Sequence, residues 1–205
     1  MGRQPLPAAH DMKRLSLILL FALASPAWAG PLEDVMAANS KGDYTTELRI
    51  VRPLAESGTA WAQFFLGMMY QHGQGVIEDY AEAGKWYRLA ATQGEALAQY
   101  NLAVMYGKGQ GVVHDEKEAA KWHRQAAEQG YPASQYALGL HYFLGLGVLE
   151  DAVRAHMWFN LAAVSGNESA QKNRDLAAST MTPQQIGEAQ KLARECQARQ
   201  FKGCD

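Results

Sequence analysis

From residue 60 onward, apolar residues recur at spacings of three and four, the period of a helix with one buried face. The stretch from Ala60 to His72 follows this rhythm and stops at Gly73, a residue that tolerates the left-handed conformation of a helix end. A short glycine-containing loop follows. Asp79 then stands where an N-cap belongs, with Glu82 three residues later, the spacing of a capping box. A second periodic stretch carries Trp86 and the pair Ala90-Ala91 and closes at Gly94. The pattern predicts a helix hairpin: small alanines let the helices approach, and the tryptophan supplies a large area to bury.

The hairpin is repeated. Tyr70, Gly73, Gly75, Asp79, Trp86, Ala90, Ala91 and Gly94 return unchanged thirty-six residues later as Tyr106, Gly109, Gly111, Asp115, Trp122, Ala126, Ala127 and Gly130. Gly67 becomes Ala103. A further thirty-six residues bring Gly139, Tyr142, Gly145, Gly147, Asp151, Trp158, Ala162, Ala163 and Gly166. Glu118 completes a second expected capping box, whereas Arg154 replaces the glutamate in the third copy.

These residues resemble the Sel-one-like repeat family, a relative of the tetratricopeptide repeats with a longer period and a glycine-rich loop inside each hairpin. The resemblance rests on Ala62, Leu66-Gly67, Tyr70, Gly73-Gln-Gly75-Val76, Asp79, Ala83, Trp86-Tyr87, Ala90-Ala91 and Gly94, met almost completely in all three copies. His123 and Phe159 stand in the place of Tyr87. The resemblance implies an all-α, right-handed superhelical solenoid of antiparallel helix hairpins, and a role in binding other proteins.

The expected organisation is a signal peptide over 1–29, a capping helix pair over 30–59, repeats at 60–95, 96–131 and 132–167, and a partial repeat with a capping helix over 168–205. Pro53 falls inside the second capping helix, where it should kink the helix or displace a bond. Thr182-Pro183 opens the last helix as N-cap and first helical residue.

Export is read from Lys13-Arg14, the apolar run Leu15 to Ala24, and the small-residue pattern Ala27-Trp28-Ala29, with cleavage expected after Ala29. The run falls short of the roughly 20 residues of a spanning helix, so no stable membrane insertion is expected after cleavage. The chain is thus placed in the periplasm or outside the cell. There Cys196 and Cys204, the only two cysteines, are expected to form a disulfide. The net charge of −2 leaves no polyelectrolyte footprint, which argues against nucleic acid as a partner.

Comparing the copies separates fixed from free positions on the first helix of each hairpin. The free set is Phe65, Met69 and His72, then Asn101, Met105 and Lys108, then Ala137, His141 and Leu144. In helical-hairpin solenoids the first helices line the concave side, so this strip is the candidate groove for a protein or peptide ligand.

Catalytic readings are weaker. His123 occupies an aromatic packing position, and His141 and His156, on successive helices, lack a carboxylate at ligand spacing, so no metal is assigned. Ser169-Ala-Gln-Lys172 satisfies the Ser-x-x-Lys pattern of penicillin-recognising serine enzymes, but neither Ser-Asp-Asn nor Lys-Thr-Gly follows. The reading is therefore a non-enzymatic, monomeric envelope scaffold without a cofactor. The alternative is a protein that binds or processes peptidoglycan fragments or β-lactams.

Overall fold

The computed structural model describes residues 30–204, so the expected signal peptide and its cleavage point lie outside the described residues. The described residues form ten helices and no strand. They fall into two compact units, one ending at Ile50 and one beginning at Val51.

The first unit holds α1 (Pro31–Ser40) and the opening turns of α2 (Tyr44–Glu56). Pro31 occupies the start of α1, where its missing N–H costs nothing, and Asp43 Oδ1 accepts from Thr46 N–H at 3.0 Å to cap α2. Glu47 is only 1% exposed; burial raises its carboxyl pKa, opposed by a hydrogen bond of 3.0 Å from Asn39 Nδ2. Downstream, α2 runs on past Pro53 to Glu56.

The second unit continues with α3 (Ala60–His72), α4 (Tyr80–Thr92), α5 (Ala96–Lys108), α6 (Glu116–Ala127), α7 (Pro132–Leu144), α8 (Ala152–Val164), α9 (Glu168–Ser179) and α10 (Pro183–Ala198). From α3 to α9 each helix packs on the next, and α10 packs back on α8. This is an all-α solenoid: α3–α4, α5–α6 and α7–α8 are the three hairpins. Each first helix ends on a left-handed glycine, at Gly73, Gly109 and Gly145.

The N-caps form, but the capping boxes of the first two hairpins do not. Asp79 Oδ1 accepts from Ala81 and Glu82 N–H, and Asp115 Oδ1 from Lys117 and Glu118 N–H. In a capping box the glutamate would accept the N–H of the aspartate. That N–H already donates to the preceding helix, Asp79 to Tyr70 O at 2.9 Å and Asp115 to Tyr106 O at 3.1 Å. Glu82 and Glu118 turn instead to Lys85 and Lys121. The reciprocal box appears at α10, between Thr182 and Gln185.

Buried glutamines tie each hairpin to the turn before it. Gln63, Gln99 and Gln135 donate from Nε2 to the carbonyls of Ala55, Ala91 and Ala127, oxygens that a helix end leaves without an intrahelical partner. Gln93 and Gln129 then donate to Oε1 of Gln63 and Gln99 at 2.7 and 2.8 Å.

Two departures from the repeat pattern prove to be linked. A Cβ on Gly67 would stand 2.7 Å from the Tyr87 ring, and one on Gly139 2.6 Å from the Phe159 ring. The equivalent positions in the second hairpin hold Ala103 and His123, so the one copy with a methyl group there is also the one with a smaller, five-membered ring.

The chain end is held by the Cys196–Cys204 disulfide, with Cα atoms 5.1 Å apart. Between the cysteines, Gln200 (φ 53) and Phe201 (φ 66) adopt the left-handed conformation that side chains avoid. The Phe201 ring lies against Gly130 at the end of the second hairpin. Replacing both cysteines with serine should lower stability by about 2–3 kcal/mol, the loop-closure entropy of so short a loop. Limited proteolysis should then clip the chain beyond Ala198. A melting temperature unchanged by the double substitution would show that the turn holds without its crosslink.

Candidate functional site

The first helices α3, α5 and α7 bring the nine residues of the expected strip onto neighbouring helices, but not onto one surface. Phe65, Asn101 and Ala137 are half-buried, and His72, Lys108 and Leu144 are exposed. Met69 is 0% exposed, Met105 2% and His141 7%. These three belong to the core, and the strip is corrected at its middle position. Their variation between copies reflects different neighbours inside the stack and not freedom in solvent. Met105 fills the space that a Cβ on Gly84 of α4 would enter, while the His141 ring lies 5.6 Å from that of His123 on α6.

The partly exposed line keeps the outer positions and shifts only the middle one by a residue: Trp61, Phe65, Met68 and His72 on α3, with Leu97, Asn101, Val104 and Lys108 on α5 and Ala133, Ala137, Leu140 and Leu144 on α7. Steps of four, three and four hold one helical face, whereas position 69 and its equivalents turn into the stack, Met105 and His141 toward the second helix of the preceding hairpin. The line is apolar at its centre. Trp61 and Phe65 meet edge to face at 6.0 Å, and Phe65 and Met68 rest on the core of the first two hairpins. Asn101 lies within hydrogen-bonding reach of the Tyr87 hydroxyl, which also donates to Gln71 Oε1 at 2.6 Å. His72 and Lys108 set a polar end to the line.

The opposite flank carries a second ladder between hairpins. Arg88 on α4 donates to the Tyr106 hydroxyl on α5, and Arg124 on α6 donates to the Tyr142 hydroxyl on α7 at 3.0 Å. Asn160 holds the corresponding place on α8, so the arginine–tyrosine step is not repeated beyond the third hairpin. A cleft of about 450 Å³ lies between the start of α8 and α10, lined by Asp151, Arg154, Glu188, Leu192 and Arg199. Arg154 pairs there with Asp151 at 2.6 Å.

Three histidines, His123, His141 and His156, are buried within the stack. Burial, helped by nearby His141, pushes the His123 imidazole down to about 3; its Nδ1 lies 3.3 Å from Ser134 Oγ. His141 Nδ1 donates to the Leu146 carbonyl at 2.7 Å. His156 is 3% exposed with Nδ1 lacking a hydrogen-bond partner, and burial lowers its pKa. The described residues contain no group of three or more histidine, cysteine or acidic side chains able to hold a metal. Ser169 and Lys172 both stand exposed on α9.

Nor does any helix among the described residues have the length and apolarity to cross a membrane.

Solved structures share this architecture. A Sel1 repeat protein from Oxalobacter formigenes is 40% identical, covering 63% of this chain and 97% of its own, with a TM-score of 0.59. The protein c5321, a protective antigen present in uropathogenic Escherichia coli strains and displaying an SLR fold, is 29% identical with a TM-score of 0.58. That match covers 92% of this chain but 46% of c5321. No curated protein matches the chain. The Sel1 repeat pattern itself matches residues 62–95, 96–131 and 132–167, and the chain belongs to the Sel1 repeat family.

Proposed function

We propose that this protein is a non-enzymatic scaffold of the bacterial cell envelope, gripping a segment of a partner protein along the exposed face of its first helices. The coarser half of this reading follows from the family, whose members are protein-interaction scaffolds. The finer half rests on one observation: the line through Trp61, Phe65, Met68, Leu97, Val104 and Leu140 is apolar yet stays partly exposed on three successive hairpins, Leu97 most of all at 40%. Contiguous apolar surface of this kind is characteristic of contact sites. The envelope location draws on the Leu15 to Ala24 run, on the disulfide, and on likeness to a protective antigen. The reading puts this line on the concave side of the stack, where a ligand would meet several repeats at once.

Crosslinking capture from envelope extract tests the reading. The protein should retain a specific partner that is lost on Phe65→Ser, Leu97→Ser and Leu144→Ser. Leu97 and Leu144 are 40% and 56% exposed, so their replacement leaves the core intact. If wild type and a still-folded variant capture the same proteins, the first-helix face is not the binding surface. Intact mass of the protein from the same fraction should correspond to a chain beginning at Gly30; one beginning at Met1 or Met12 refutes cleavage.

A further inference from the structure

Each hairpin loop contains two consecutive apolar residues, and only the first has work to do in the fold. Val112 packs against the core of the first two hairpins and Val148 against that of the third, and Val76 is half-buried at the same place. The residues that follow, Ile77, Val113 and Leu149, are 90%, 86% and 89% exposed. Large aliphatic side chains almost wholly in water, at the same position of three successive loops, form a row that nothing in the hairpin requires.

Along the chain the row has an acidic margin; at the third loop Arg124 and Arg154 also line the pocket beside Leu149 and Glu150, engaged by Tyr142 and Asp151. The stretch from Ile77 to Lys85 carries three acids and one base, that from Val113 to Lys121 three acids and two lysines, and that from Leu149 to Met157 two acids and one arginine. Asp79, Asp115 and Asp151 are committed to capping, and Glu82 and Glu118 to their lysines. Glu78 and Glu150, directly beside Ile77 and Leu149, are exposed and take no ion pair among the described residues.

From this pairing we propose that the row Ile77, Val113 and Leu149 is a second interaction surface, distinct from the first-helix face, and that it takes a protein segment in which aliphatic residues are interspersed with lysine or arginine. The aliphatic row supplies area to bury, and the adjacent acids select the sign of the charge that accompanies it. The proposal does not depend on the first-helix reading.

The test uses the full mature protein and fluorescently labelled peptides built from repeating Leu-Lys-Ser, Leu-Glu-Ser or Ser-Lys-Ser triplets, followed by anisotropy. Only the Leu-Lys-Ser peptide should bind. Ile77→Ser, Val113→Ser and Leu149→Ser together should weaken it by at least about tenfold, with the melting temperature unchanged. The Leu97→Ser/Leu144→Ser variant should bind it as the wild type does, and Glu78→Lys with Glu150→Lys should shift the preference to Leu-Glu-Ser. The proposal is overturned if the Leu-Lys-Ser peptide does not bind, if the triple variant binds it unchanged, if only the first-helix variant loses it, or if charge reversal leaves the preference as it was.

Discussion

Replacing Gly147 with alanine should cost far more stability than the same change at Gly166, although both glycines have left-handed φ angles, 68° and 83°. At Gly166 nothing lies within 4 Å of an added Cβ, so the cost is that of placing alanine in the left-handed region, about 1–2 kcal/mol. At Gly147 the same methyl would sit 2.2 Å from the carbonyl oxygen of Glu116, at the start of α6 in the previous hairpin. That contact is backbone against backbone, so no side chain can swing away; the loop must leave its neighbour. Overpacking of this kind adds about 1–3 kcal/mol, for a total of roughly 2–5 kcal/mol. Gly111 repeats the arrangement one hairpin earlier, with its Cβ position 2.2 Å from Tyr80 O. In a stack stabilised by nearest-neighbour interfaces, a lesion there weakens coupling and not only local structure. Urea unfolding of Gly147→Ala should show a lower midpoint and a shallower or split transition, while Gly166→Ala keeps the wild-type slope. Equal losses in the two variants would mean that the loop glycine serves only its own turn.

The contrast between these glycines shows what could be read in the sequence. Hairpins, their ends and their number were legible because their punctuation is chemical: aspartate at the N-cap, glycine where φ is positive, and a period of thirty-six residues. Which glycine is needed for conformation and which for a neighbour was not legible, since both look alike in one dimension. The glutamates of the expected capping boxes failed for a similar reason. The N–H they would have accepted is spent on a carbonyl nine residues earlier, and only the folded loop brings Asp79 to Tyr70. The middle position of the strip is buried where the sequence suggested exposure, because variability between copies was taken for exposure. Met69, Met105 and His141 differ because the interfaces they fill differ, and helical spacing alone does not separate position 69 from position 68. The aliphatic row at 77, 113 and 149 stood in the sequence from the start; burial was needed to tell each exposed residue from the anchoring valine before it.

The linked exchange of Ala103 and His123 for glycine and a six-membered ring also introduces a pH dependence that the other hairpins lack. In the folded protein His123 titrates near 3, whereas its ordinary value is 6.5. An imidazole held below its unfolded pKa leaves stability intact above about 6.5 and loses it as pH falls toward the folded value, because the unfolded chain takes up the proton first. Between pH 7 and pH 5 the loss from this residue is about 2 kcal/mol, and it does not depend on whether the folded value is 3 or 4. Protonation of the native site is disfavoured by burial first and by His141 second, its ring 5.6 Å away; Ser134 Oγ at 3.3 Å and the Tyr100 ring at 5.7 Å complete the surroundings. Burial of His156 acts in the same direction and the raised pKa of Glu47 in the opposite one, so the wild-type curve alone cannot isolate His123. The variant that isolates it combines Ala103→Gly with His123→Phe, reproducing the Gly139 and Phe159 pair of the third hairpin and so avoiding a clash. Chemical unfolding at pH 7 and pH 5 should show a stability loss smaller by about 2 kcal/mol in the double variant than in the wild type, with His156 and Glu47 common to both. Equal losses would mean that His123 is protonated in the native state at pH 5, and that the interface between the second and third hairpins admits water where the packing excludes it.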